Sequence, residues 1–199
     1  MSKIRLIVGL GNPERQYGLT RHNAGFWLLN FLAQQHELVW KEDSKFKAEI
    51  STFSPSVLRD EKLWLMKPGL YMNESGFSVS NFCLFYKIKA KEVLVVHDEL
   101  DLKPGILRIK KGGGSAGHRG IKDIQLKLGT DDFWRLRLGI GHPKTIESHI
   151  KHVSDFVLSK PSDTDKMQIE GVISLCAQNI YGLLNCDINN IQNELSKER

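Results

Sequence analysis

The chain has 199 residues, a mass of 22.6 kDa and 41% hydrophobic residues, enough for the core of one globular domain. No apolar run is long enough to cross a membrane, and residues 1–5 lack a signal-peptide core. Because Cys83, Cys176 and Cys186 form no close pair, we expect reduced thiols, no metal knuckle and a cytoplasmic protein. The net charge of +5 suits either a polyanionic partner or a solvated basic surface.

The first predicted element is a buried strand over residues 4–10 that ends in a turn at residues 11–13. After a short loop, Thr20 is a possible N-cap of the first helix. The apolar face of that helix is predicted to carry Leu28, Phe31 and Leu32. This order of strand, loop and helix brings Asn12 and His22 to one rim of the domain.

The middle of the chain predicts two strands, 47–53 and 62–66, after a polar connection at 36–45. The apolar residues of the helix that follows are Phe77, Phe82 and Phe85. Residues 93–96 are a continuous apolar run, typical of a strand buried on both faces, and the run stops just before Asp98.

Two further strands, 106–110 and 133–140, flank a glycine-rich loop at 111–120 and a helix that Gly129 ends. Arg108 and Lys110 share one face of the first of these strands. In the second strand, alternation places Leu136, Leu138 and Ile140 inward and Arg135 and Arg137 outward.

The C-terminal part is predicted to hold one amphipathic helix over 163–184, after a polar segment at 142–160 that is expected to be partly mobile. The buried side of this helix is predicted to carry Ile169, Ile173, Cys176 and Ile180. Residues 189–199 are polar and are expected to fray.

Strands that alternate with helices predict a single α/β domain with three layers, α/β/α, around a central mixed, mostly parallel twisted sheet. We assign residues 1–186 to this domain and residues 187–199 to a polar tail. Ligands of such sheets bind beyond the carboxyl ends of the strands. Asn12, Asn73 and Asp98 each follow a predicted strand, so we expect them to meet His22 at one site.

The glycine motifs do not match the common nucleotide-binding loops. The third glycine of a dinucleotide fingerprint would fall at Glu14, and His118 and Arg119 stand where a Walker loop requires Lys followed by Ser or Thr. The loop at 112–117 is therefore either a flexible turn or a backbone-amide cradle for a phosphate or ribose. Ser75 and Ser115 lack the nucleophile elbow of a serine esterase.

His22 is the strongest catalytic candidate, although a lone histidine near a helix start is more often structural. A helix N-terminus disfavours imidazolium, and the carboxylate of Asp98 at the end of a buried strand needs a partner. A His–Asp pair that activates water would make a hydrolase without a metal or a covalent intermediate. Asn12 and Asn73 would then polarise a carbonyl as neutral donors, unless they serve only as turn residues.

Several blocks of the sequence together resemble bacterial peptidyl-tRNA hydrolase. The similarity runs in order from Ile4 to about Pro161. The blocks are Gly9-Leu-Gly-Asn-Pro13, Tyr17, Thr20-Arg-His-Asn-Ala-Gly25, Pro68 with Tyr71-Met-Asn-Glu-Ser-Gly76, His97-Asp-Glu-Leu-Asp101, Lys111-Gly-Gly-Gly114, Gly117-His118, Gly120-Ile-Lys-Asp123 and Arg135-Leu-Arg-Leu-Gly-Ile-Gly-His-Pro143.

The resemblance implies a monomeric, cofactor-free and metal-free esterase that cleaves the ester between a peptide and the 3′ end of tRNA and so recycles tRNA during translation. By similarity, His22 is the general base and Asp98 orients it. Asn73 would position the water and the scissile carbonyl, and Asn12 would hold the carbonyl end of the substrate.

The resemblance also implies a binding surface for the peptide and for the tRNA acceptor stem. Tyr17 and Met72 would wall the peptide channel, and Tyr71 is a further substrate contact. Lys110 and Arg137 would clamp the 5′-phosphate of the tRNA. Arg108 and Arg135 would add to that basic surface.

Arg119 is a departure from the family pattern, which usually has Asn at this position. Asn both donates and accepts hydrogen bonds, whereas Arg only donates and is always charged. The amide contact that the family makes to the tRNA 3′ end or peptide therefore does not carry over. We predict that Arg119 contacts a phosphate of the acceptor end instead.

Two other functions compete with this hydrolase. A non-catalytic RNA-binding relative would keep the basic face, but it has no use for the buried base and carboxylate. A nucleotide- or nucleoside-cleaving enzyme of similar architecture would need a phosphate or base pocket, which the sequence does not indicate.

Overall fold

The computed structural model describes residues 3–54, 62–144, 150 and 152–184. Within these ranges the backbone forms a seven-stranded sheet in the order β2-β3-β4-β1-β5-β7-β6. Its strands are β1 (Leu6–Gly9), β2 (Lys41–Asp43), β3 (Ala48–Phe53), β4 (Leu63–Pro68), β5 (Val93–Glu99), β6 (Leu107–Lys111) and β7 (Trp134–Gly139).

The four central strands β4, β1, β5 and β7 are parallel, and antiparallel pairs lie at both edges. On one side β3 runs antiparallel to β4 and β2 to β3, and on the other β6 runs antiparallel to β7. The two innermost strands, β1 and β5, are buried along their whole length, which agrees with their continuous apolar runs. The mixed sheet predicted from the sequence is confirmed.

Helices cover both faces of the sheet. In β1, Ile7 packs into the cluster that includes residues of α1 and α5, whereas Leu6 and Val8 pack into the cluster that includes residues of α2 and α3. This alternation creates the predicted three layers. The helices are α1 (Ala24–Gln35), α2 (Ser75–Tyr86), α3 (Arg119–Leu128), α4 (Val153–Val157), α5 (Asp163–Gln178) and α6 (Ile180–Leu184).

Some local predictions were wrong. Phe31 and Phe85, placed on apolar helix faces, are 37% and 54% exposed. The connection at 36–45 contains the short edge strand β2, whose three polar residues carry no apolar alternation. The predicted helix over 163–184 is interrupted at Asn179, whose side-chain Nδ2 donates to the Leu175 carbonyl, although its four predicted core residues are all buried.

Several expectations concern residues outside the described ranges. These include Cys186, the tail at 187–199, the end of the assigned domain and part of the segment at 142–160. Cys83 and Cys176 are buried free thiols, and burial raises the pKa of each to about 12. No helix in the described part of the chain is both long and apolar enough to span a membrane.

Candidate active site

Two glycines allow the first helix to begin directly against the carboxyl end of the sheet. A Cβ on Gly25 would lie 2.4 Å from the Leu10 nitrogen and 2.4 Å from the Val96 oxygen, and a Cβ on Gly9 would lie 2.5 Å from the Gly25 oxygen. Only a residue without a side chain permits this approach. The residues just before α1 are thereby held over the ends of β1 and β5.

His22 lies in a 3-10 turn, Arg21–Asn23, that precedes α1. The predicted cap at Thr20 is wrong, because its Oγ1 donates to the Tyr17 carbonyl at 2.8 Å and accepts no helix amide. Thr20 therefore closes the loop before the turn. The turn carries the imidazole of His22 towards β5.

The carboxylate of Asp98 lies beside His22. His22 Nδ1 is 2.9 Å from Asp98 Oδ1, and the two side chains are 11% and 2% exposed. An ionised carboxylate only accepts hydrogen bonds, so the His22 proton sits on Nδ1 and the lone pair on Nε2. Asp98 lies within β5, since this strand continues to Glu99, and not beyond its end as predicted.

Two further histidines surround Asp98, and sequence reasoning gave neither a role in this network. His118 Nε2 lies 3.0 Å from the same Oδ1, and its Nδ1 accepts the Ile121 amide at 3.3 Å, which makes His118 the N-cap of α3. His97 Nδ1 donates to the Asp98 carbonyl at 2.7 Å. The only sequence signal was the position of these histidines beside Asp98 and before a helix.

The electrostatics of this cluster favour an ionised Asp98. Burial opposes its ionisation, but the charges and hydrogen bonds of His22 and His118 outweigh burial and lower the pKa of the carboxyl. For His22, burial opposes protonation, yet Asp98 outweighs it and raises the pKa of the imidazole, while Arg119 lowers it. Burial lowers the pKa of His97 to about 3, so its ring is neutral.

The ligand atoms of His22, Asp98 and His118 lie within 4.8 Å of one another, close enough to be considered as a metal site. A metal-bound imidazole nitrogen must offer a lone pair. His118 accepts an amide on Nδ1, so its Nε2 carries the proton that points at Asp98. The contacts of 2.9 Å and 3.0 Å are those of hydrogen bonds, and the arrangement is a hydrogen-bonded network.

Asn12 is fixed from both sides by its neighbours. The Asn23 side chain accepts from the Asn12 amide at 2.9 Å and donates to the Asn12 carbonyl at 3.0 Å. Asn12 Oδ1 accepts the Met72 amide at 2.8 Å. Because Oδ1 is occupied, Nδ2 is the side-chain donor of Asn12, a residue that lines the cleft described below. Sequence reasoning missed Asn23, whose doubly paired amide gave no signal beyond its place beside His22.

The predicted catalytic and substrate residues surround one cleft of about 590 Å³. Tyr71, which is 47% exposed, donates its hydroxyl proton to Glu14 across the mouth. Part of the opposite wall comes from α4 and Leu158, which sequence reasoning did not assign to the site. The predicted residues in this lining are Asn12, Tyr17, His22, Tyr71, Met72, Asn73, Asp98 and Arg119.

The four predicted tRNA-binding cations lie on β6 and β7. Arg108 pairs with Arg137 and Lys110 with Arg135 in the antiparallel register, so all four share one face of the sheet. Arg108 and Lys110 are exposed, and Arg137 is half-buried with its Nε donating to Glu99 Oε2 at 2.8 Å.

Arg135 does not face solvent as predicted. It is 3% exposed, and its guanidinium donates to the carbonyls of Gly113 and Gly114. Alternation correctly put Arg135 on the face opposite Leu136, but the glycine loop covers that face at this point. Because Arg135 is covered by the loop, the cationic surface is formed by three of the four predicted residues, Arg108, Lys110 and Arg137.

An imidazole held by a buried carboxylate at the carboxyl edge of an α/β sheet is typical of hydrolases that activate water. Residues 6–199 match the family model of peptidyl-tRNA hydrolase. The chain belongs to this family, which confirms the family, the fold and the hydrolase class predicted from the sequence.

Individual relatives agree with this assignment. The chain is 48% identical over 181 residues to the peptidyl-tRNA hydrolase of Neisseria meningitidis, covering 91% of each chain. It is 47% identical over 184 residues to that of Bordetella avium, covering 92% of this chain and 87% of the relative. The crystal structure of peptidyl-tRNA hydrolase from Acinetobacter baumannii superposes with a TM-score of 0.88 at 39% identity, covering 98% of this chain and 95% of that one.

Proposed function

We propose that this protein hydrolyses the ester bond between the peptide, or an N-blocked aminoacyl group, and the 3′ end of tRNA. The observation that carries the proposal is the 2.9 Å contact between His22 Nδ1 and the buried Asp98 carboxylate at the edge of the cleft. The enzyme would act as a monomer in the cytoplasm and recycle tRNA during translation.

In the proposed reaction, His22 Nε2 removes a proton from a water molecule as its oxygen attacks the ester carbonyl. Asp98 stabilises the imidazolium that forms and keeps the proton on Nδ1 in the resting state. The tetrahedral intermediate then collapses, and the imidazolium returns a proton to the departing 3′ oxygen of tRNA. The products are a free peptide carboxyl group and tRNA with an intact 3′ hydroxyl.

Two neutral amides are suited to the developing negative charge on the carbonyl oxygen. Asn12 has its Oδ1 occupied by the Met72 amide, which leaves Nδ2 as a fixed donor. Asn73 is exposed in the same cleft and can position the water and the carbonyl. Neither amide carries a charge, so neither competes with Asp98 for the imidazole.

The peptide and the tRNA would bind different surfaces, the peptide in the cleft and most of the tRNA phosphates on β6 and β7. The peptide would lie along Tyr17, Tyr71 and Met72, which combine apolar area with few charges. The phosphates of the tRNA acceptor stem would bind Lys110, Arg137 and Arg108, with Arg119 nearer the 3′ end. Contacts to phosphates carry little sequence information, which suits an enzyme that accepts many tRNAs.

The test is release of tRNA from an N-blocked aminoacyl-tRNA in the presence of EDTA. We expect His22→Ala to lower kcat by about 10²–10⁴-fold, the usual contribution of a general base, with tRNA binding retained. His152→Ala is the control, because this exposed histidine is outside the cleft lining.

The same experiment separates the second candidate function, a non-catalytic RNA-binding protein, which the exposed cations on β6 and β7 favour. If the wild type binds tRNA tightly and releases no product, the hydrolase is excluded and the RNA-binding function remains. If EDTA stops cleavage, a metal takes part and the water activation described above is wrong.

A further inference from the structure

Arg135 is a buried arginine whose guanidinium donates to the glycine-rich loop. Its Nη1 donates to the Gly114 carbonyl at 2.7 Å, its Nη2 donates to the Gly113 carbonyl, and its guanidinium carbon lies 5.1 Å from the centre of the Phe133 ring. Burial lowers the pKa of this group, although the charge is retained. A buried charge is tolerated only where such bonds offset its desolvation.

The loop that Arg135 holds is also fastened from other directions. Asp131 Oδ2 accepts the Gly113 amide at 2.8 Å, and Gln125 Nε2 donates to the Gly113 carbonyl at 2.8 Å. The Gly112 amide donates to the Phe133 carbonyl at 3.0 Å. Gly112 and Gly113 have φ values of 65° and 87°, which favour glycine. This glycine loop, Gly112–Gly114, is therefore a braced segment and not the flexible turn considered from the sequence.

The ammonium group of Lys110 rests on this loop. A Cβ built on Gly113 would lie 2.6 Å from Lys110 Nζ, so the lysine head occupies the space that glycine leaves free. Lys110 is also the residue that pairs with Arg135 across β6 and β7. The loop thus lies between the buried guanidinium of Arg135 and the exposed ammonium group of Lys110.

We propose that Arg135 is a positioning residue: together with Asp131 it fixes the glycine loop that seats Lys110 for tRNA binding, and it contacts no phosphate itself. This inference rests on the proposed function, because it takes Lys110 to bind tRNA. Arg135 thereby acts through Lys110. The charge of Arg137 helps to lower the pKa of Arg135, but Glu99 accepts from Arg137 Nε, so the glycine loop does not position Arg137.

Asp131 provides the most discriminating variant. Removing an acidic side chain near a phosphate-binding surface should strengthen tRNA binding by simple electrostatics. If Asp131 braces the loop, Asp131→Ala should instead weaken tRNA binding and raise KM, with a smaller effect on kcat. Asp132→Ala is the matched control: it removes the same charge from the adjacent residue, which pairs with Lys111 at 2.7 Å, whereas the Gly113 amide donates to Asp131.

A double-mutant cycle tests the role of Arg135 directly. We expect Arg135→Met to raise the dissociation constant for tRNA about tenfold, the loss expected for one charge-assisted contact. Lys110→Gln should then have little further effect in the Arg135→Met background. Arg137→Gln should keep most of its effect in the Arg135→Met background, because only the weak repulsion between the two guanidinium groups couples them. Arg135→Lys, which keeps the charge and can donate to a loop carbonyl, should recover part of the binding.

The salt dependence distinguishes positioning from direct contact. A direct phosphate contact by Arg135 would make its loss and that of Lys110 additive, each reducing the slope of log K against log salt by about 0.9 between about 50 and 200 mM.

Additive effects overturn the inference, as does unchanged or tighter tRNA binding by Asp131→Ala. If Arg135→Met does not fold, the comparison of Asp131→Ala with Asp132→Ala decides alone. A wild type that fails to cleave contradicts the proposed function instead.

Discussion

The cluster around Asp98 and the cationic face of β6 and β7 lie on one sheet, yet their side chains are held in different ways. In the cluster, His22 and His118 point at the same carboxylate oxygen, and all three side chains are at most 11% exposed. On the cationic face, Lys110 is exposed, and its ammonium group lies against Gly113 of the glycine loop. Proton transfer needs a fixed direction, whereas a phosphate accepts a cation from many directions.

This difference predicts that the largest loss of kcat follows from replacing Asp98, which both histidines contact. Asp98→Asn should lower kcat by about 10³-fold or more, within the range of general acid–base catalysis. The new amide can donate to His22 Nδ1, which moves the ring proton to Nε2 and removes the lone pair that accepts the proton of water. The carboxylate raises the pKa of His22 in the wild type, so its removal should lower that pKa. The base is neutral above its pKa, and the acid limb of the pH–rate profile should therefore move to lower pH.

Comparing the pH–rate profiles of kcat/KM for Asp98→Asn and wild type tests both the loss of rate and the shift of the acid limb. The tRNA dissociation constant serves as the control, since the cationic face does not depend on Asp98. An acid limb that stays in place would show that the titrating group is not His22 paired with Asp98.

A smaller loss of kcat should follow when Asn23, which holds Asn12, is replaced. In Asn23→Ala the buried amide and carbonyl of Asn12 lose their partners, at about 1–3 kcal/mol for each unsatisfied group. We expect a lower melting temperature and a reduced kcat, because Asn12 Nδ2 is no longer held against the substrate. Thermal unfolding and steady-state kinetics would measure the two effects, and a stable variant with wild-type kcat would contradict this role.

The smallest expected effect concerns Arg119, which lines the cleft and is predicted to contact a phosphate. Its charge lowers the pKa of His22, so Arg119→Asn should raise that pKa and move the acid limb to slightly higher pH. If Arg119 also contacts a phosphate, the salt slope of tRNA binding should become shallower by about 0.9. Unchanged affinity and salt slope would contradict the phosphate contact, whatever the pH–rate profile shows.

The sequence predicted most of the fold because burial leaves a periodic apolar pattern. The alternation in β7 and the runs in β1 and β5 follow directly from which side chains face the helices. Edge strand β2 has only polar residues, Lys-Glu-Asp, and so has no such pattern. The break at Asn179 depends on one side-chain hydrogen bond, which periodicity does not reveal.

The sequence predicted that the cleft residues lie together and that His22 pairs with Asp98, but it did not predict the other contacts that hold them. Turn positions after strands indicated Asn12 and Asn73, while the pairing of Asn23 with the Asn12 backbone depends on two loops meeting in space. The burial of Arg135 depends on a loop that covers the polar face of its strand. These contacts join residues that are distant in the sequence, so local pattern alone does not show them.

His118 links the chemistry of the cluster to the stability of a helix. Its two ring nitrogens join Asp98 to the backbone amide of Ile121, the first turn of α3. A movement of the His118 ring away from Asp98 would also break its bond to this amide, and native-state hydrogen exchange detects such an opening at a single amide. We expect the protection of the Ile121 amide to report, without substrate, how often Asp98 loses one of its two imidazole partners.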